Sequence, residues 1–175
     1  MAPKRARQAR VPPTRHAQGT WHPDPDRVAR SVESALSSLS VRELWSRSGP
    51  QFRHGHEAGY LYPSEVAPEM MEEAMSEHLL RADRLWERGH RRDALACVAG
   101  IVEGLAMWDE GGGGFHEEAV ECAEDVARDF LRGWFKEARR HRGSTELLRQ
   151  MVVSAVPDEF LAKVRLRGLK AGRAQ

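Results

Sequence analysis

The residues whose types best suit chemistry lie in the stretch MWDEGGGGFHEE, Met107–Glu118. A glycine-rich loop binds phosphate when its backbone N–H groups and a nearby Lys or Arg face the ligand. Here Asp109 and Glu110 precede the four glycines, Glu117 and Glu118 follow them, and the stretch contains no Lys or Arg. These acidic flanks would repel a phosphate. We therefore predict a joint between two helices, in which the glycines end the first helix and the acids stabilise the N-terminus of the second.

The candidate metal ligands have incomplete spacing. An EF-hand loop starting at Asp109 would place glycines at the third and fifth positions, and Val120 at the twelfth, where calcium needs a bidentate Glu. The segment FHEEAVE differs from the zinc-protease pattern HExxH because Val120 stands at the second His position. His54 and His56 supply two imidazoles where a site normally has more ligands, so a pair in a loop is favoured and a metal site is the alternative. No cofactor is predicted.

The sequence also lacks a catalytic constellation. Cys97 and Cys122 lie in apolar helical patterns and are predicted to be buried, and no serine has a GxSxG context. His78 lies on an apolar stripe, which is typical of a packed or boundary histidine. The carboxylates that follow the glycines are predicted to form a solvated helix face. We therefore expect no enzyme. These carboxylates are Glu117, Glu118, Glu121, Glu124 and Asp125.

Composition is typical of a protein with one soluble domain: 175 residues, of which 41% are hydrophobic and 30% charged. The formal net charge is only +1, but the charges are segregated along the chain. Residues 1–20 and 163–175 hold bases without acids, and residues 63–77 hold acids without bases. No run is apolar enough to span a membrane, and two distant cysteines weakly favour a reducing, cytoplasmic location.

Apolar periodicity predicts an all-α chain of about six helices in antiparallel hairpins, forming one domain over 26–170. Residues 1–25, a basic tail, and 171–175 are predicted to be disordered. Asp26 is the expected N-cap of the first helix, and SVRE at Ser40–Glu43 the capping box of the second. Residues 49–62 are predicted to be a loop and 116–141 the longest helix. Ser144 or Thr145 should cap the helix that follows.

ADRLWERGHRRDALACVAGIVEGL, residues 82–105, resembles a tetratricopeptide helical hairpin, with small or apolar residues and a helix-breaking Gly89 at the places where that repeat needs them. Over residues 36–135 the order of helical patterns is similar to the helical region that accompanies SWIM-type zinc-finger proteins in prokaryotes. The zinc finger itself is absent, because two isolated cysteines cannot supply its ligands. The resemblance implies a helical scaffold for protein interaction, and it transfers no functional residue.

The sequence thus predicts a non-catalytic scaffold or adaptor that binds a partner protein, basic in charge, through a helical groove or an acidic face. The assigned acids are Glu65, Glu69, Glu72, Glu73, Glu117, Glu121 and Glu124.

The alternative is a nucleic-acid-associated accessory protein that binds phosphate without reading sequence. The residues that would bind phosphate are Lys4, Arg5, Arg7, Arg10, Arg15, Arg139 and Arg140. A third interpretation is a homodimer, in which the basic tail of one copy docks on the acidic patches of the other.

Overall fold

The computed structural model describes residues 23–53, 56–111, 113–166 and 169, and these form eight α-helices and one two-stranded sheet. The predicted all-α class is confirmed, although the described residues contain eight helices rather than about six. The elements are α1 (Pro25–Ser37), α2 (Val41–Arg47), β1 (Gly49–Arg53), β2 (His56–Leu61), α3 (Pro63–Glu87), α4 (Arg91–Gly111), α5 (Gly114–Glu118), α6 (Cys122–Ala138), α7 (Ser144–Ala155) and α8 (Asp158–Val164).

Residues 49–62, predicted to be a loop, contain two paired strands, so the loop prediction is wrong there. β1 and β2 pair antiparallel, with Gly49 opposite Leu61 and Pro50 opposite Tyr60. The register shifts between Gln51 and Phe52, where a bulge interrupts the ladder. Gly, Pro and the bulge break the alternation that identifies a strand from sequence, which explains why the pattern was missed.

The predicted helix over 116–141 is two helices, α5 and α6, and the longest helix is α3 with 25 residues. The break is at Glu121, whose backbone is left-handed with φ 64°. Ala119 before the break and Ala123 after it are both buried. The apolar spacing therefore continues across the break, and periodicity alone does not reveal it.

The helix caps were predicted with mixed success. Ser40 caps α2, since its hydroxyl accepts from the backbone N–H of Glu43. The N-cap of α1 is Asp24 rather than Asp26, because α1 begins at Pro25. The N-cap of α7 is Gly143, and no side chain caps this helix. A glycine there accommodates the left-handed backbone, φ 80°, that enters α7.

Helix α4 is the centre of the fold and is buried on nearly all sides, as expected for a helix that is apolar around its circumference. Helices α1, α3, α6 and α7 all pack against it. Its contact with α1 is unusually close: a Cβ atom added to Gly104 would lie 2.6 Å from the carbonyl oxygen of Ala29 and 2.6 Å from the Cβ of Val32. Only glycine permits this approach of two helix backbones.

α3 and α4 form a helical hairpin whose turn passes through Gly89, with φ 81°. Trp108 and Trp134 are buried in the core. Trp86 is partly buried and packs edge-on against Trp134 with 5.4 Å between ring centroids. The predicted burial of Cys97 and Cys122 is also confirmed.

Candidate functional site

The glycine joint is confirmed as the place where two helices meet, because α4 ends at Gly111 and α5 begins at Gly114. Its two sides are connected by a hydrogen bond of 2.9 Å between His116 Nε2 and Asp109 Oδ1. Lys163, at the end of α8, donates from Nζ to Asp109 Oδ2 at 2.7 Å. The polar groups at the joint therefore contact the carboxylate of Asp109.

The side chain of Asp109 is only 5% exposed. Burial by itself would raise the pKa of this carboxyl, but the hydrogen bonds from Lys163 and His116 outweigh burial and lower it below the ordinary value. Conversely, the hydrogen bond to Asp109 raises the pKa of Lys163. Each partner thus stabilises the charged form of the other.

Glu124 is the second buried carboxylate of this region, so the prediction that it lies on a solvated face is wrong. It is 5% exposed, and its Oε1 lies 3.5 Å from Lys163 Nζ. Its Oε2 is buried and has no hydrogen-bond partner among the described residues. We call Asp109, His116, Glu124 and Lys163 the ionic cluster.

The ionic cluster lines a cleft of about 540 Å³. A carboxylate bonded to an imidazole can orient a general base, as in hydrolases. However, no Ser, Thr or Cys is among the described residues that line the cleft, and Lys163 shares the same carboxylate. Within the described part of the chain, no group of three or more His, Cys, Asp or Glu residues could hold a metal ion. Through Lys163 the arrangement joins α4, α6 and α8, and it acts as a structural clamp.

The clamp fixes the end of α8. Arg128 of α6 donates from Nε to the carbonyl oxygen of Val164 at 2.8 Å, and its Nη1 pairs with Asp125. Directly after Val164, Arg165 adopts a left-handed backbone with φ 53°. Such a conformation is uncommon for a residue other than glycine and persists only where surrounding contacts hold it. Lys163 and Arg128 supply those contacts.

A second region exposes aromatic side chains. Pro50 and Phe52 are two residues apart on β1, so their side chains lie on the same side of the hairpin. Tyr60 lies opposite Pro50 on β2, and Tyr62 follows two residues after Tyr60. Phe52 is 69% exposed, Tyr60 47% and Tyr62 60%, and the two tyrosine rings lie 5.1 Å apart. Trp45, on the neighbouring α2, is also exposed. We call Trp45, Pro50, Phe52, Tyr60 and Tyr62 the aromatic face.

The predicted acids of α3 begin where the aromatic face ends. Glu65 accepts from the backbone N–H of Tyr62 at 2.8 Å, which completes the N-terminus of α3. Glu73 accepts from Arg47 of α2 at 2.8 Å, so it bridges two helices. The remaining predicted acids on α3, Glu69 and Glu72, are exposed.

The other predicted acids lie near the glycine joint, and Glu117 and Glu121 are exposed there. Glu121 also lines the cleft of the ionic cluster.

Two of the bases predicted for nucleic-acid binding, Arg139 and Arg140, lie within the described residues. Arg140 pairs with Glu137 at 2.9 Å, whereas Arg139 faces a different, basic cleft. The predicted bases of the tail lie outside the described residues; they are Lys4, Arg5, Arg7, Arg10 and Arg15. His54 is likewise outside them, and of His56 only the backbone is described.

The basic cleft has a volume of about 430 Å³ and is formed by α6, α7 and the segment after α8. Sequence reasoning identified only Arg139 in it. The spacing i, i+3, i+4, i+7 from Arg132 to the C-cap Arg139 could have grouped the four lining residues at the end of α6, whereas no local spacing indicates those from α7 and from the segment after α8. The lining residues are Arg132, Phe135, Lys136, Arg139, Thr145, Arg149, Arg165 and Leu166.

The buried thiols are not candidates for chemistry. Burial raises the pKa of Cys97 to about 11 and, together with Asp125 and Glu124, that of Cys122 to about 12. The thiolate is the nucleophile, so neither cysteine is reactive near neutral pH. Burial also lowers the pKa of His78, in agreement with its predicted place at the boundary of the core.

Comparison with known proteins adds no function to this geometry. No protein-family model matches the chain, and neither a curated protein nor a solved structure shows significant similarity to it. The resemblances to a tetratricopeptide hairpin and to the helices of SWIM-type proteins therefore stay predictions. Among the helices of the described residues, none is both long and apolar enough to cross a membrane.

Proposed function

We propose that this chain is a protein-interaction domain that binds a basic, apolar-containing segment of a partner protein. The observation that carries the proposal is the aromatic face, because three large rings in and beside the hairpin are largely exposed. Tyr and Trp are enriched where protein interfaces bind most tightly, since they bury large areas at a low entropic cost. A two-stranded hairpin is also marginal without a covering layer.

The charge of the neighbouring helix supports a basic occupant. Residues 63–77 contain acids and no base, and the first of these acids, Glu65, lies three residues after Tyr62. Glu69, Glu72 and Glu77 are exposed. Acidic side chains beside an apolar face steer a cationic partner and select against an acidic one. A segment with Lys or Arg next to aliphatic or aromatic residues would match both parts of this surface.

The test is selection of short random peptides on the immobilised full chain, followed by affinity measurement of the selected peptides. We expect peptides of net positive charge with apolar residues. Replacing Phe52 or Tyr62 by Ser should weaken their binding by about tenfold or more, since each change removes a buried ring from the interface. Glu69→Gln should weaken it less and reduce its dependence on salt.

Leu80→Ser is the matched control, because Leu80 is another large exposed apolar residue, 52% exposed, but lies on α3 outside the aromatic face. Its peptide affinity should stay unchanged. The proposal is wrong if no peptide binds, or if Leu80→Ser weakens binding as much as Phe52→Ser and Tyr62→Ser do.

A further inference from the structure

The basic cleft has a charge pattern unlike that of the cleft beside the ionic cluster. Five of its lining side chains are cationic, and none is acidic. They come from three separate parts of the chain: α6, α7 and the residue after α8. Cations at the C-terminal end of a helix interact favourably with its dipole, which accounts for Lys136 in the last turn of α6 and for its C-cap, Arg139. It does not account for Arg149 and Arg165, which approach the same cavity from other elements.

Three of the five cations lack an ion pair in the described part of the chain. Lys136, Arg139 and Arg165 form no ion pair with the described residues. The two remaining ones, Arg132 and Arg149, pair with Asp129 and Glu146 on their own helices. Such solvent-exposed pairs contribute little and can rearrange when a stronger acceptor arrives. The cleft therefore has an excess of positive charge for an anionic ligand.

One of the residues that line the cleft has a donor without an acceptor. Arg149 Nε is buried and has no hydrogen-bond partner among the described residues. A buried donor without a partner is costly, so a rotation of the exposed Arg149 side chain that brought Nε to an anion would be favoured. Thr145, one turn earlier on α7, adds a hydroxyl that can donate to an oxyanion.

We propose that the basic cleft binds a small phosphorylated molecule, such as a nucleoside diphosphate or triphosphate, through its phosphate groups. A guanidinium group can donate two parallel hydrogen bonds to two oxygens of one phosphate, so Arg139, Arg149 and Arg165 suit this chemistry. Phe135 and Leu166 supply apolar contacts for the organic part. The volume of about 430 Å³ lies within the range of small-molecule sites and favours a compact ligand over a polymer. This site is independent of the aromatic face.

The ionic cluster positions one wall of this site. Lys163 holds the end of α8 to Asp109, and Arg128 holds the carbonyl of Val164. Arg165 follows at once, in the left-handed conformation that places it beside both clefts. The buried carboxylates thus act on the ligand indirectly, by fixing the backbone that presents a cation to it.

The experiment is calorimetric titration of the full chain at low salt, in EDTA, with pyrophosphate, ATP and a short single-stranded oligonucleotide in separate runs. We expect saturable binding of pyrophosphate and tighter binding of ATP, because only ATP reaches Phe135 and Leu166. Arg139→Ser should weaken both by about tenfold or more, since it removes a charge-assisted contact.

Arg140→Ser is the matched control: it makes the same charge change at the next residue, which is not among those that line the cleft. It should change the affinities by less than about twofold, as expected for an exposed, screened charge outside the cleft. Equal losses in both variants would refute the site, because they would indicate unspecific attraction. Absence of ATP and pyrophosphate binding would refute it too. If, in addition, Arg139→Ser weakened oligonucleotide binding, the nucleic-acid alternative would replace it.

Discussion

The aromatic face and the basic cleft both present functional side chains, but they are supported in different ways. The aromatic face lies on a hairpin whose strands pair mainly with each other. The basic cleft is bordered by α6, α7 and the segment after α8, and the end of α8 is held by two buried carboxylates. A surface of the first kind can change residue by residue without affecting the fold. A surface of the second kind depends on ion pairs behind it, so its shape and the stability of the domain are linked.

Helix α4 is the core on which the fold is built, and the largest expected effect comes from its contact with α1. Gly104→Ala would place a Cβ 2.6 Å from the backbone oxygen of Ala29, where no side chain can move aside. We expect a loss of about 3 kcal/mol of unfolding free energy from overpacking, despite the higher helix propensity of Ala. Urea denaturation followed by circular dichroism would measure it.

Gly133→Ala is the control for this change, because a Cβ at Gly133, within α6, meets no atom within 4 Å. It should raise the unfolding free energy by about 0.5–1 kcal/mol through propensity alone. A stabilising Gly104→Ala would show that α1 is not packed closely on α4.

Lys163→Met tests the link between ion pairs and the basic cleft. It leaves Asp109 with His116 alone and removes the Lys163 contact of Glu124. Breaking a buried ion pair lowers the unfolding free energy more than breaking an exposed one. Because Asp109 is buried but Lys163 is 55% exposed, we expect an intermediate loss of about 2 kcal/mol of unfolding free energy. The affinity for pyrophosphate should fall as well, since Arg165 loses its support, while peptide binding at the aromatic face should not.

The informative comparison is between the two ligands in the same Lys163→Met protein. Equal loss of peptide and pyrophosphate binding would mean that the variant is globally disturbed, and the contrast between the regions would fail. Lys136→Met is the matched control, because it makes the same chemical change at a lysine that lines the basic cleft and has no ion pair in the described part of the chain. Its replacement should weaken pyrophosphate binding without a comparable loss of stability.

The pH dependence of stability isolates the ion pair further. The pKa of Asp109 is lowered below its ordinary 3.8, so its contribution is complete above that value and is lost as pH falls through the lowered pKa. The pKa of Lys163 is raised above 10.5, so its contribution is complete below that value and is lost as pH rises through the raised pKa.

The stability difference between wild type and Lys163→Met should therefore be constant near neutral pH and decrease towards both extremes. Urea denaturation of both proteins over a pH series would check this. Burial lowers the pKa of His78, so protonation of this residue destabilises the native state in acid. This contribution is the same in wild type and Lys163→Met, and it therefore cancels in the difference between them. A difference that increased in acid would show that Lys163 does not stabilise an ionised Asp109.

The two regions also differ in how far the sequence predicted them. Helical periodicity located the core, because Val98, Ile101 and Leu105 repeat with the helical period and are buried. It predicted neither the hairpin, in which a bulge and glycines break the alternation, nor the basic cleft. The cleft combines Arg139, Arg149 and Arg165 from distant segments, and such proximity depends on tertiary packing rather than on local spacing. Glu124 was misassigned for the same reason, since the Lys that pairs with it is far along the chain.

The smallest expected effect on stability belongs to the aromatic face. Phe52→Ser and Tyr60→Ser should each change the unfolding free energy by less than about 0.5 kcal/mol, because exposed side chains contribute little to folding. Peptide affinity should nevertheless fall by about tenfold or more, since in the complex the same rings are removed from water.

Urea denaturation and peptide titration on the same samples would separate the two effects. A loss of stability near that of Lys163→Met would show that the rings support the fold rather than a partner. The hairpin would then be a structural element like the end of α8, and the division of the molecule into a surface for partners and a supported cleft would not hold.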